Sequence, residues 1–324
     1  MSAGRVIHAL RHQLAGAGLR GSFLVRDLFT SEEIGIDPDA EFPIASLVKL
    51  PLAVAVLTRV SEGTIDGAAV IHVEPGQVTD GGPHGLGRFR HPARIAVDDL
   101  LYLSVAVSDN TAADALFDLV PPADVDRALR EAGIAGIAVR HRMRELTRTP
   151  ARLFGSRDVH LAQSLAIGSR TDGGGHAIPQ LDVSHANSGS ARAFADLLHA
   201  LWVPDRIPAD AAAQARSLLG ENLIRHRLAP DFDSDATRWS SKTGTLLNLR
   251  HEAGVVEHDD GSAFAVIALT ESRVPAVIQP AAEGVMGNVA RALHDQLRDG
   301  LAPCADRWRF SANGRVGCRW QKSR

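Results

Sequence analysis

The sequence predicts a mixed α/β chain of the α+β kind, with strands toward both ends and helices between them. Strand-like runs gather at the two ends, residues 22–28 and 33–36 on one side and 239–245, 252–257 and 263–269 on the other. Helical periodicity fills the middle. The composition, 45% hydrophobic and 23% charged, is that of a soluble globular protein with a sizeable core.

Val6, Leu10 and Leu14 recur at helical spacing, and Gly16, Gly18 and Gly21 close that element. Residues 22–28 read as a strand and 33–36 as its hairpin partner, with Asp37-Pro38-Asp39 as a turn. An apolar helix follows from Ser46 to about Ser61, with Pro51 near its start predicting a small kink. Thr79 to Gly87 is a glycine-rich loop without the Gly-Lys-Ser/Thr of a phosphate cradle. Helices are predicted over 95–107, 110–119, 123–132, 191–202, 211–228 and 282–297. The run His258-Asp259-Asp260-Gly261 makes the hairpin turn before the last strand.

A net charge of -3 argues against a polyanion-binding surface, so no nucleic-acid partner is expected. The fourteen histidines are scattered without the spacing of a metal site, and no metal or cofactor is expected. Cys304 and Cys318 could close a small loop or stay as free thiols. No stretch reads as a membrane span, and the N-terminus lacks an apolar run with a small-residue cleavage site. The expectation is a cytoplasmic protein, or a secreted one if a leader has been removed.

Chemistry concentrates in three short motifs. Ser46-Leu47-Val48-Lys49 places a hydroxyl and an amine one helical turn apart, and a neutral amine can take the proton that keeps a serine hydroxyl unreactive. The second is Ser108-Asp109-Asn110, and the third is Lys242-Thr243-Gly244. Only three lysines, Lys49, Lys242 and Lys322, stand among 35 basic residues, the other 32 being arginine. Arginine never deprotonates in proteins, whereas a buried lysine readily does, so retained lysines in two motifs point to positions arginine cannot fill.

Ser-x-x-Lys, Ser-Asp-Asn and Lys-Thr-Gly in that order form the signature of class A β-lactamases and penicillin-binding proteins. The chain resembles that serine acyl-enzyme family, closest to its class A branch, from about Ser22 to about Gly300. The resemblance implies a β-lactamase-like fold, an antiparallel sheet flanked by helices, and a small amide or lactam substrate bearing a carboxylate. Ser46 would attack the carbonyl, Lys49 take its proton and Ser108 relay a proton to the leaving nitrogen. Asn110 would hold Lys49 and a substrate amide. Lys242, Thr243 and Arg250 would bind the carboxylate, and the backbone N–H groups of Ser46 and Thr245 would form the oxyanion hole. It also implies an α/β lobe from residues 1–45 and 206–300 and an all-α lobe over 46–205. An enlarged Ω-like loop at about 146–186 and a C-terminal extension over 301–324 complete the expected organisation.

The chain departs from the pattern in its middle. The family carries a water-activating glutamate in a Glu-x-x-Leu-Asn context, and here Glu145 is the one glutamate near the expected distance, with no Leu-Asn after it. Glu145 is the candidate base. Without such a base an acyl-enzyme persists, which leaves three functions in view. The first is a β-lactamase-like serine hydrolase. The second is a cytoplasmic acyltransferase or amidase of specialised metabolism, and the third a non-catalytic penicillin-binding-like protein.

Overall fold

The computed structural model describes residues 3–74, 84–147, 159–276 and 278–300. The expected C-terminal extension with Cys304 and Cys318 lies outside the described residues, as do the start of the glycine-rich loop and residues 148–158 of the expected Ω-like loop.

Helix α1 (Ala3–Gly16) buries Val6, Leu10 and Leu14, the predicted stripe, and leads into the hairpin of β1 (Leu19–Asp27) and β2 (Glu33–Ile36). Strand β3 (Glu41–Pro43) precedes a short turn and α2 (Lys49–Ser61). Then come β4 (Val70–Val73), β5 (Ala93–Ala96), α3 (Val97–Val105), α4 (Asn110–Leu119) and α5 (Pro122–Glu131). Strand β6 (Ile137–Ala138), α6 (Met143–Thr147), α7 (Val159–Ile167), β7 (Ser188–Ser190) and α8 (Ala191–Trp202) follow. The chain closes with α9 (Ala209–Gly220), α10 (Ala229–Phe232), β8 (Thr237–Leu246), β9 (Leu249–His258), β10 (Ala263–Ser272) and α11 (Pro280–Gly300).

The main sheet is antiparallel with strand order β2-β1-β10-β9-β8, so the N-terminal hairpin docks on the last strand and both ends of the chain build one sheet. Side chains alternate across a strand, and both faces are covered here. Helices α1 and α11 lie on one face, where Leu10, Phe23, Val266 and Leu293 meet. Helix α8 lies on the other, where Leu24, Ile267 and Phe194 join the larger core. Within that core α2 is buried from Lys49 to Leu57 and packs on α3, α4, α5 and α9. A helix apolar all round must be buried on all sides, and burying each Leu or Val contributes roughly 1.5–3 kcal/mol. Pro51 falls in the first turn of α2, where its missing N–H is least costly.

Three elements differ from expectation. Residues 95–107 begin as β5, with Ile95 paired to Ile71 of β4, and turn helical only at Val97. The helix expected over 211–228 ends at Gly220, because Asn222 accepts from the Ile224 amide and folds the backbone into a turn. Within the expected loop, Asp182 accepts from the amides of Gly175, His176 and Ser184, while Ala166, Ile178 and Leu181 pack on Leu249. That part of the loop is built against the β8–β9 hairpin.

Candidate active site

Ser46 sits in a single turn, Ala45–Val48, that runs directly into α2. The turn is entered through Ala45 at φ 47°, a left-handed conformation that costs a non-glycine residue about 1–3 kcal/mol and gathers at functional sites. One helical turn on, Lys49 is fully buried at 0% exposure. Its Nζ lies 3.3 Å from Ser46 Oγ and 3.3 Å from Ser108 Oγ. It donates at 2.6 Å to two carbonyl oxygens, the Ser108 backbone and Asn110 Oδ1. A neutral amine has two N–H bonds and one lone pair. With both N–H groups taken by carbonyls, the lone pair is left for a hydroxyl.

Ser108 links α3 to α4 and is also left-handed, at φ 63°. Asp109 behind it is committed to structure. Its carboxylate accepts from the amides of Thr111 and Ala112, capping α4, and from Leu86 N at 2.5 Å. Asn110 opens α4 and turns its amide oxygen to Lys49. From the far side, Lys242 Nζ donates to Ser108 Oγ at 2.9 Å and to the Thr243 carbonyl at 3.0 Å. The Ser108 hydroxyl therefore stands between two amines drawn from distant parts of the chain.

Burial governs the charge of both amines, since desolvation disfavours an ammonium. It pushes Lys49 down to about 7, against the opposing pull of Asp109 and Asp114. Lys242 is pushed well below its ordinary range, first by burial and then by the charges of Lys49 and Arg227, with Glu252 pulling back.

Strand β8 packs directly on the Ser46 turn. Gly244 makes that possible, because a Cβ there would come within 2.8 Å of the Ile44 carbonyl oxygen. Thr243 is buried beside Lys242, and Thr245 is exposed at the open end of the strand. The sequence-predicted Ser46, Lys49, Ser108, Asn110 and Lys242 are thus joined in one hydrogen-bonded cluster, with Thr243 and Thr245 on the strand that borders it.

Arg250 and Glu145 do not join that cluster. Arg250 is buried on β9, donates to the Leu249 carbonyl and faces Glu283 of α11 at 3.6 Å. Arg227, also buried, reaches the end of β8, donating to Thr245 Oγ1 at 2.7 Å and to the carbonyls of Gly244 and His251. Glu145 lies in α6, where its charge acts on His141 and its backbone carbonyl accepts from Gln180. The carboxylates that act on Lys49 are Asp109 and Asp114. Asp114 accepts from the amides of Met143 and Arg144, which pins α6 beside α4 with Met143 in the core. Among the described residues no group of three or more histidines, cysteines or acids gathers as a metal site, and no helix is long and apolar enough to cross a membrane.

Sequence reasoning missed Arg227, Asp114, His251 and Glu252. Asp114 carried a usable signal, four residues after Asn110 and so on its face of the helix. Arg227 carried none among 32 arginines.

The pattern of the Beta-lactamase enzyme family matches residues 5–297. The chain belongs to that family. A curated relative, the beta-lactamase regulatory protein BlaB of Streptomyces cacaoi, is 60% identical over 305 residues, covering 91% of this chain and 98% of the relative. Among solved structures, a beta-lactamase from Chitinophaga pinensis superposes with a TM-score of 0.69 at 21% identity, over 90% of this chain and 99% of that one. A variant of the ancestral class A beta-lactamase of Gram-negative bacteria gives 0.73 at 22%, over 92% and 100%. PBP-A gives 0.70 at 15%, over 91% and 96%. At those identities the structures speak for the fold, a class A β-lactamase and penicillin-binding-protein-like one, and the family places the chain with serine hydrolases in general.

Proposed function

We propose that the chain is a β-lactamase-like serine hydrolase that is acylated on Ser46 by a lactam or amide and releases the acyl group slowly. The observation that carries the first half is Lys49, whose nitrogen meets two carbonyl oxygens at 2.6 Å and the Ser46 hydroxyl at 3.3 Å, so that in the neutral form the carbonyls take both N–H groups and the lone pair is left for the hydroxyl. Ser46 Oγ attacks the carbonyl as Lys49 takes its proton. The oxyanion forms against the backbone N–H groups of Ser46 and Thr245, where losing one donor typically costs about 10²–10³ in rate. Ser108 then passes a proton to the leaving nitrogen and is reprotonated from Lys49, breaking the C–N bond and leaving an ester on Ser46.

A carboxylate on the substrate fits the cationic end of β8, formed by Lys242, Thr243, Thr245 and Arg227. Its charge favours the ammonium form of Lys242, and that ammonium in turn holds Lys49 neutral. Substrate binding thereby readies the base.

Slow release is supported by the carboxylates. Asp109 and Asp114 are engaged by backbone N–H groups, and Glu145 acts on His141. Naming a relative as regulatory agrees with a long-lived acyl-enzyme that reports a lactam instead of destroying it. The test is incubation with a fluorescent penicillin followed by intact-mass measurement. Stoichiometric labelling that persists over many minutes, absent in Ser46→Ala, is the expected result. Rapid turnover without accumulated label would remove the slow-release half, and no reaction with any lactam would remove lactams as the acylating substrate.

A further inference from the structure

The Ser46 turn is tied down unequally on its two sides. Toward the small sheet it is held by backbone pairing, Pro43 opposite Ser188 and Ile44 N donating to the Asn187 carbonyl. Toward the five-stranded sheet the contact with β8 is a close approach at Gly244. Among the described residues, the hydrogen bond that crosses from that sheet to residues 43–48 comes from one side chain, His251 of β9. Its Nε2 lies 2.8 Å from the Pro43 carbonyl, and its Nδ1 lies 3.1 Å from the Thr270 amide.

Those two partners fix the ring's state. The Thr270 N–H can only donate, so Nδ1 must accept. The Pro43 carbonyl can only accept, so Nε2 must carry the proton. The ring is fully buried at 0% exposure, and its neutral form is the one both bonds require. The ring also packs at 3.3 Å from the Cβ position of Gly244, so it touches the strand and the turn at once. It stands edge-on to Phe42, which fixes its orientation from the side.

We propose that His251 is a positioning residue for acylation: the bond from its Nε2 to the Pro43 carbonyl sets the height of the Ser46 turn against β8. It thereby sets the distance between the Ser46 and Thr245 amides that would hold the oxyanion. The inference rests on the acyl-enzyme reading above, but the two can fail separately.

Two substitutions divide the two bonds. His251→Gln keeps a donor near the Nε2 position and loses the acceptor for Thr270. His251→Asn keeps an acceptor near the Nδ1 position and loses the donor to Pro43. Both remove one buried hydrogen bond, so both are expected to melt at lower temperature than the parent protein. Their rates of acylation by a fluorescent penicillin, normalised to folded protein, are expected to differ. His251→Asn falls about 10²-fold, the scale of a 1 Å misplacement, while His251→Gln stays within about tenfold of the parent. Equal rates in the two variants would overturn the proposal and leave His251 as packing alone.

If either variant fails to fold, ¹⁵N NMR of the parent protein tests the bond on which the proposal depends. A neutral ring protonated on Nε2 is expected, and a ring protonated on Nδ1 would overturn it. Failure of the parent protein itself to label would end acylation by lactams, while the NMR measurement would still report on the bond to Pro43.

Discussion

Replacing Lys49 by arginine asks whether acylation needs a base that can be neutral. An ordinary lysine at 10.5 is about 0.03% neutral at pH 7, whereas one held at about 7 is half neutral, a gain on the order of 10³ in competent enzyme. Arginine cannot deprotonate in a protein, so Lys49→Arg forfeits that gain and the proton transfer with it, a loss of about 10²–10⁴ in rate. Lys49→Met removes the nitrogen altogether and controls for the bulk of arginine in a fully buried position. The assay is the second-order rate of labelling by a fluorescent penicillin, followed across pH with folding checked by thermal melt. In the parent protein the rate should rise about tenfold per pH unit below about 7 and level off above it, as the free base accumulates. A parent profile that stays flat through neutral pH, or a folded Lys49→Arg that labels within about tenfold of the parent, refutes the assignment of Lys49 as base.

Gly244→Ala forces a methyl to within 2.8 Å of the Ile44 carbonyl oxygen, so the strand and the Ser46 turn must separate, and labelling should fall about 10²-fold in a protein that still melts cooperatively. Asp114→Ala strips the acceptors from the Met143 and Arg144 amides, and a loss of about 1–3 kcal/mol for each amide left unpaired should appear in urea denaturation. The stacked pair His258 and His294 should make the fold acid-labile. Burial, then Arg298 and His294, push His258 from 6.5 to about 4, and burial also lowers His294. Between those values the unfolded chain takes up protons that the folded one refuses, so stability is full above about 6.5 and falls as pH drops toward 4. Thermal melts at pH 7.5 and 5 should show the lower midpoint at the lower pH, and His258→Phe should narrow the difference.

The site was legible where its chemistry is carried by consecutive residues. Ser46 and Lys49 are one helical turn apart, Ser108 and Asn110 share one turn, and the scarcity of lysine marked Lys242 from far away in the chain. What stayed hidden depended on which face of a strand a side chain takes. Arg250 and His251 are neighbours on β9 and point to opposite faces. Thr245 pairs with Arg250 and Gly244 with His251, so the face that meets the Ser46 turn belongs to the histidine. Spacing alone does not say which of the two neighbours meets the turn. The end of the 211–228 helix was hidden for a similar reason. Asn222 turns the chain back with its own side chain and so delivers Arg227 to Thr245, a local competition that helical periodicity does not record.

The two halves of the proposed reaction make different demands on a fold. Acylation needs a hydroxyl, two amines and two amides within hydrogen-bond reach. Three short motifs on rigid elements supply the side chains, and the strained residues Ala45 and Ser108 aim them. Hydrolysis of the ester needs in addition a carboxylate with a lone pair to spare for water. Here the acids that bear on Lys49 spend their oxygens on backbone amides. Asp109 holds the start of α4 and the Leu86 loop, and Asp114 holds the start of α6. Freeing either would undo the turn that presents Ser108 or unpin Met143 from the core. Neither of these two carboxylates can therefore be turned to hydrolysis of the ester without dismantling the acylating half.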